Sequence, residues 1–188
     1  MSAASQEQAA FETLLLEALA DPVRADYDTL RARYVLSERY QPWYRDQEGL
    51  EELRMRMAMG EWEGSLVLAG ELVEGDPLFI DLRFMLSRIF DHGGQDYEAS
   101  LQRTFGNGLL RSVLRSGDGR SAKTAIRVID PRELKLALES MNLKACSSQL
   151  RKIDDRWLEA INCVGSGGER LMFFDVDSSQ RWLIRLHG

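Results

Sequence analysis

The stretch LRSGDGRSAKTAIRVID, Leu114–Asp130, is where the chain changes character. Gly117-Asp118-Gly119 carries the residues of a tight turn: glycine reaches positive φ without a Cβ penalty, and aspartate bonds its own backbone. Thr124–Ile129 is rich in β-branched residues and predicts a strand. Asp130-Pro131-Arg132-Glu133 then supplies a helix cap, a proline suited to the first helical position and a capping-box glutamate. The helix so opened would bury Leu134, Leu138 and Met141. A strand inserted between helices at this point makes the chain α+β. Helical hairpins fill residues 1–110, and a small α+β module fills residues 111–188.

Downstream, Trp157–Val164 predicts a strand, Gly165–Gly168 a hairpin turn, and Leu171–Val176 its partner. After Asp177-Ser178-Ser179, the alternation of Trp182, Ile184 and Leu186 predicts a last strand over Arg181–Leu186. Connections this short imply an antiparallel meander. Upstream, apolar residues recur at helical spacing in six runs: Phe11–Leu19, Tyr27–Tyr34, Leu50–Met57, Trp62–Val73, Leu78–Ile89 and Tyr97–Phe105. Ser5 and Gln8 look like the capping box of the first. Asp76-Pro77 looks like the opening of the fifth, and Gly106-Asn107-Gly108 like the end of the sixth. Gly60-Glu61-Trp62 with Ser65 is echoed by Gly94-Gln95-Asp96-Tyr97 with Ser100. Trp62 and Tyr97 are 35 residues apart, close to the roughly 34-residue period of tetratricopeptide hairpins. In that pattern Ser65 and Ser100 would sit where two helices cross closely, and Pro77 falls where the repeat carries a proline.

The totals narrow the function. The 188 residues carry a net charge of −6, divided unevenly. Residues 1–110 hold ten basic residues, all arginine, against twenty acidic ones, leaving −10; residues 111–188 hold fourteen against ten, leaving +4. An acidic half repels a phosphate backbone, so nucleic acid is not an expected partner. The asymmetry predicts two modules that attract each other. No run approaches the roughly 18 apolar residues of a membrane span, so a membrane is not expected either. The opening MSAASQEQAAF lacks the basic and apolar regions of a signal peptide, which reads as cytoplasmic; a trimmed chain would be equally consistent with a periplasmic or exported protein. Cys146 and Cys163 fit no metal spacing, leave a disulfide open, and read first as two core thiols.

LRSGDGRSAKTAIRVI, with Ser148-Gln149-Leu150, Asp154-Asp155 and LMFFDV (Leu171–Val176), resembles an uncharacterised bacterial family, domain-of-unknown-function family 4919. The likeness covers about residues 30 to 178 and is best over Ser116–Ile129. It departs in the tail Asp177–Gly188, and at Met172 where a tyrosine would be expected. The resemblance implies a helical first part and a carboxy-terminal segment with an SGDG-x-S turn. It brings no catalytic residue, and it implies that many relatives are exported.

Two clusters are candidate sites. Arg115, Gly117, Asp118, Gly119, Arg120, Ser121 and Lys123 form a loop that could hold an anion or an acidic partner, and Gly117–Thr124 is one glycine short of a phosphate loop. A phosphate loop runs into a helix, however, whereas this one is expected to run into a strand. Tyr40, Trp43 and Tyr44 beside Pro42 form either an exposed aromatic patch or a packed plug. With two histidines and no nucleophile motif, no catalytic residue, metal ligand or cofactor is expected. Helical hairpins present surfaces to proteins, so the expected function is a non-enzymatic interaction module with a protein partner. An immunity or inhibitor protein neutralising a basic toxin or enzyme is the first alternative. A small nucleotide- or anion-binding protein built on the Gly117–Thr124 loop is the second.

Overall fold

Eight helices and a four-stranded sheet make up the computed structural model, which describes residues 3–43 and 46–187. The chain is α+β and divides into two units, Met1–Leu109 and Leu110–Gly188.

The first unit holds α1 (Ala3–Ala20), α2 (Tyr27–Leu36), α3 (Gln47–Met59), α4 (Trp62–Gly75), α5 (Ile80–His92) and most of α6 (Asp96–Arg115). Aspartates start two of them: the Asp26 carboxylate accepts from the Thr29 amide, and the Asp46 carboxylate accepts from the Gly49 amide. Each satisfies an amide that has no partner in the first turn. Phe11 of α1 packs on Tyr34 of α2 at 5.1 Å between rings. Outside that contact, Arg33 pairs with Glu7 and Arg39 with Glu12; such half-exposed pairs add at most about 1 kcal/mol each. A second cluster unites Leu53 and Met57 of α3, Ala69 and Leu72 of α4, and Leu82, Leu86 and Ile89 of α5.

The spacing between hairpins differs by one residue from the expected 35. Gly60 and Gly94, 34 residues apart, both turn the chain at positive φ (77° and 69°). The helices that follow begin at Trp62 and Asp96, again 34 apart. Ser65 and Ala99 are both completely buried, so the counterpart of Ser65 is Ala99; Ser100 faces solvent. Ser100 is therefore not at a close helix crossing.

Helix boundaries also move: α1 begins at Ala3, so Ser5 and Gln8 lie inside it and do not cap it, and two boundaries further along shift as well. Asp76 closes α4 instead of opening α5, which begins at Ile80. The intervening turn is held by Arg83, whose guanidinium donates to the Pro77 carbonyl from Nε (3.2 Å) and Nη2 (2.6 Å), and to Gln102 from Nη1. Burial lowers the Arg83 pKa to about 10 against the opposing attraction of Asp76 and Tyr27, and the group is still a cation at neutral pH. The second boundary is the end of α6, which continues through Gly106-Asn107-Gly108. There the glycines make room for a neighbour and do not break the helix. A Cβ on Gly108 would lie 2.1 Å from the Tyr27 ring, which packs edge-on against Phe105 at 5.4 Å.

In the second unit the order of strands is β1 (Ile126–Arg127), β4 (Gly168–Asp175), β3 (Arg156–Gly165), β2 (Lys144–Ile153). Strands β2, β3 and β4 form an antiparallel meander, but β1 runs parallel to β4, so the sheet is mixed. The strand expected over Thr124–Ile129 shrinks to Ile126–Arg127, with a 3-10 turn at Ala122–Thr124 before it. Helix α7 (Pro131–Ser140) begins as its sequence dictates: the Asp130 carboxylate accepts from the Arg132 amide, and Glu133 Oε2 accepts from the Ile129 amide at 2.8 Å. One face of the sheet is core, with Ile126, Ile161, Cys163, Met172 and Phe174 each at most 4% exposed.

The expected last strand is instead a helix, α8 (Asp177–His187). β4 already has β3 on one side and β1 on the other, so neither edge is open to a following strand. The same residues fit a helix: Ser179, Trp182, Leu183 and Leu186 share a side, and Asp177 accepts from Arg181 one turn on. The strand absent from the sequence-based expectation is β2, a sheet edge exposed along nearly all its length. Two aspartates at positive φ, Asp154 (49°) and Asp155 (61°), turn it into β3, the signature of a two-residue hairpin turn that twists with its strands.

Candidate functional site

The Ser116–Ala125 loop is built from its own backbone outward. Ser116 Oγ donates to the Val113 carbonyl and accepts from the Arg127 amide at 2.7 Å, joining the end of α6 to β1. Gly117 is packed too tightly for a side chain: a Cβ would meet the carbonyl oxygens of Thr124 and Ala125 at 2.4 and 2.5 Å. Gly119 has φ of 67°, donates its amide to Thr124 O, and accepts at its own carbonyl from the Phe173 amide of β4, each at 2.8 Å. The expected turn is therefore present, and its positive φ falls on Gly119. Asp118 accepts from the Arg120 amide at 3.0 Å. Its carboxyl is held below the usual range first by a hydrogen bond from the Thr124 side chain and next by that amide. Ser121 Oγ accepts from the Thr124 amide, and Arg156 reaches across to donate to Ala122 O at 3.1 Å and to Asp175 at 3.1 Å.

This wiring decides the chemistry. A phosphate cradle presents several backbone N–H groups to one anion, but here the amides of Gly119, Arg120 and Thr124 are spent on Thr124 O, Asp118 and Ser121. The chain then enters a 3-10 turn and β1 in place of the long helix whose N-terminus would face a phosphate. Arg115, Arg120, Ser121 and Lys123 are exposed around the loop, and Arg120 lies 4.0 Å from Asp118. Anion contact at this place falls to side chains in water, where one charge pair is worth little.

The aromatic cluster separates. Tyr40 is 3% exposed and stands edge-on to Tyr34 at 5.4 Å, a packed plug at the end of α2. Trp43 is half-buried, and Tyr44 lies outside the described residues. A different surface is open. Leu16 (67% exposed), Leu19 (36%) and Val23 (80%) follow one another at three- and four-residue steps along α1 and the turn after it. The run Leu14-Leu15-Leu16 hid this stripe, because apolar residues in succession mark more than one face of a helix. His92 is the last residue of α5 and stacks on Trp62 at 3.7 Å. Cys163 is buried as expected, but Cys146 is exposed, and both thiols are free. Among the described residues no group of three or more His, Cys, Asp or Glu is placed to hold a metal ion, and no helix is long and apolar enough to cross a membrane.

A comparison with curated proteins returned no match. A family model matches residues 18–182, well over half the chain, from the last turn of α1 into α8. That span takes in the Ser116 turn, the β2–β3 hairpin and strand β4. The chain belongs to the family described as Domain of unknown function (DUF4919).

Proposed function

We propose that this protein is a non-enzymatic interaction module whose helical unit docks another protein. The observation that carries the reading is the exposed stripe Leu16, Leu19 and Val23, set in a stretch that also holds Glu12, Glu17 and Asp21. Three apolar side chains in a row, with the exposed Glu17 and Asp21 next to them along the chain, suit a partner that offers an apolar surface edged with Lys or Arg. The hairpins support the same reading in a finer form. Two left-handed glycine turns and two completely buried small residues, each pair 34 residues apart, match the tetratricopeptide pattern at its turn and at its helix crossing. One contact departs from that pattern: Tyr27 of α2 packs on Phe105 of α6, two hairpins away. The docking surface proposed is thus the outward face of α1, not the concave groove of an open array.

The acidic surplus of residues 1–110 favours a specific second reading, an immunity or inhibitor protein that covers the basic site of a toxin or enzyme. Both readings require the carboxylates; only the second requires that binding abolish the partner's activity. The anion-binding reading of the Gly117–Thr124 loop is weaker, since its amides are already bonded within the loop. The test is affinity capture from the source cells with the parent protein and with Leu16→Glu/Val23→Glu, compared by mass spectrometry. A protein retained by the parent and lost from the variant is the expected result. Identical captures would refute the stripe as the docking surface.

A further inference from the structure

We propose that Cys146 and Cys163 are a dithiol pair that closes into a cross-strand disulfide by exchange with a small-molecule disulfide. The register of β2 on β3 places them together. Ala145 pairs with Cys163 and Ser147 with Asn162, so Cys146 is the extra residue of a bulge. In a bulge two residues of one strand oppose a single residue of the other, and Cys146 lies next to Ala145, the register partner of Cys163, close enough for its charge to act on the Cys163 thiol. Directly opposed residues of antiparallel strands, here Ala145 and Cys163, have Cα atoms about 4.5–5.5 Å apart, and the bulge sets Cys146 one residue along from that pair, toward the range of about 4.4–6.8 Å that a disulfide spans. Each sulfur at present approaches a carbonyl of its own strand, Cys146 that of Lys144 at 3.9 Å and Cys163 that of Ile161 at 3.6 Å. These are weak S–H contacts that cost little to give up. Burial pushes the Cys163 thiol up; Cys146 adds to that push, and Arg170 opposes it.

Exposure assigns the order of events. Cys146 is open to solvent and Cys163 is 1% exposed, so an external disulfide meets Cys146 first. The Cys146 thiolate attacks one sulfur of oxidised glutathione, forming a mixed disulfide and releasing glutathione thiolate. Cys163 then loses its proton and attacks the Cys146 sulfur, expelling the second glutathione. The two protein thiols give up two electrons and two protons, and one glutathione disulfide becomes two glutathione thiols. The bond would pin the bulge of an edge strand whose side chains are exposed on both faces.

The full chain, folded and fully reduced, is incubated with oxidised glutathione, quenched with acid, and analysed by intact mass and non-reducing peptide mapping. The parent protein is expected to lose two hydrogens and to yield one peptide pair joined through Cys146 and Cys163. Cys163→Ala is expected to stop at a glutathione adduct on Cys146, and Cys146→Ser to acquire no modification. A parent protein that halts at the Cys146 adduct, or stays reduced throughout, overturns the proposal whatever the variants do.

Discussion

Replacing Gly108 with alanine sets helix propensity against packing in one substitution. Alanine in a helix interior is favoured over glycine by roughly 1 kcal/mol. A Cβ at position 108, however, would lie 2.1 Å from Cε2 and 2.3 Å from Cζ of Tyr27. That ring has little freedom to retreat. It is 7% exposed, stands edge-on to Phe105, and donates its hydroxyl to the Pro22 carbonyl at 2.8 Å. Overpacking a core of this kind costs about 1–3 kcal/mol, and losing the Tyr27 hydrogen bond adds about 1 kcal/mol. The balance is a net loss of about 1–3 kcal/mol once the propensity gain is subtracted. At roughly 2–4 °C per kcal/mol for a chain of this size, the change is readily measured. Gly70→Ala in α4 is the control, because a Cβ there meets nothing within 4 Å; it should stabilise by about 0.5–1 kcal/mol. Thermal and urea unfolding followed by circular dichroism separates the two signs. In a Tyr27→Ala background, which removes the obstacle, Gly108→Ala should become neutral or favourable. A Gly108→Ala protein as stable as its parent, or an equal cost in both backgrounds, would refute the close approach of α6 to Tyr27.

Gly119→Val should cost about 1–3 kcal/mol, the usual charge for a side chain held at positive φ, while Lys123→Ala should stay within about 0.5 kcal/mol; the reverse order in urea unfolding would return the loop to a lysine-dependent site. Arg83→Met leaves the Pro77 carbonyl and Gln102 without their donor and should cost about 1–3 kcal/mol or more, against little change if the guanidinium only fills space. Asp118 is held below its usual pKa by Thr124 and Arg120, so its contribution is present above the unfolded value of about 3.9. That contribution fades as pH falls through the folded value, and Asp118→Asn should flatten this part of the acid limb in unfolding titrations below about pH 4. An unchanged acid limb would show that the carboxylate bonds are not maintained in solution.

Where the folding signal spans one turn of chain, residue types alone were sufficient. Asp130-Pro131-Arg132-Glu133 specifies the start of α7 because cap, proline and glutamate all act within four residues. Gly117-Asp118-Gly119 specifies a turn for the same reason, and the change from helix to strand across it marks the chain as α+β. The tetrapeptide Gly165–Gly168 likewise forms the predicted hairpin between β3 and β4. The exposed stripe on α1, by contrast, was not legible. Its leucines differ from their buried neighbours only in which way the finished helix faces.

The remaining features depend on neighbours far along the chain. Arg181–Leu186 alternates well enough for a strand and repeats well enough for a helix. The occupied edges of β4 leave it only the helix. Gly106 and Gly108 have the composition of a helix end, yet the Tyr27 ring, some eighty residues away, makes glycine the only residue type that fits at position 108 in mid-helix. β2 carries no alternating pattern because an edge strand with both faces exposed has no buried side to record one. Cys146 and Cys163 look alike in sequence. The bulge leaves one at an exposed edge and the other in the core of the sheet. Local hydrogen bonding is set by residues three or four apart and can be read in order. Burial and strand pairing are set by what the folded chain brings alongside, and only the tertiary structure decides that.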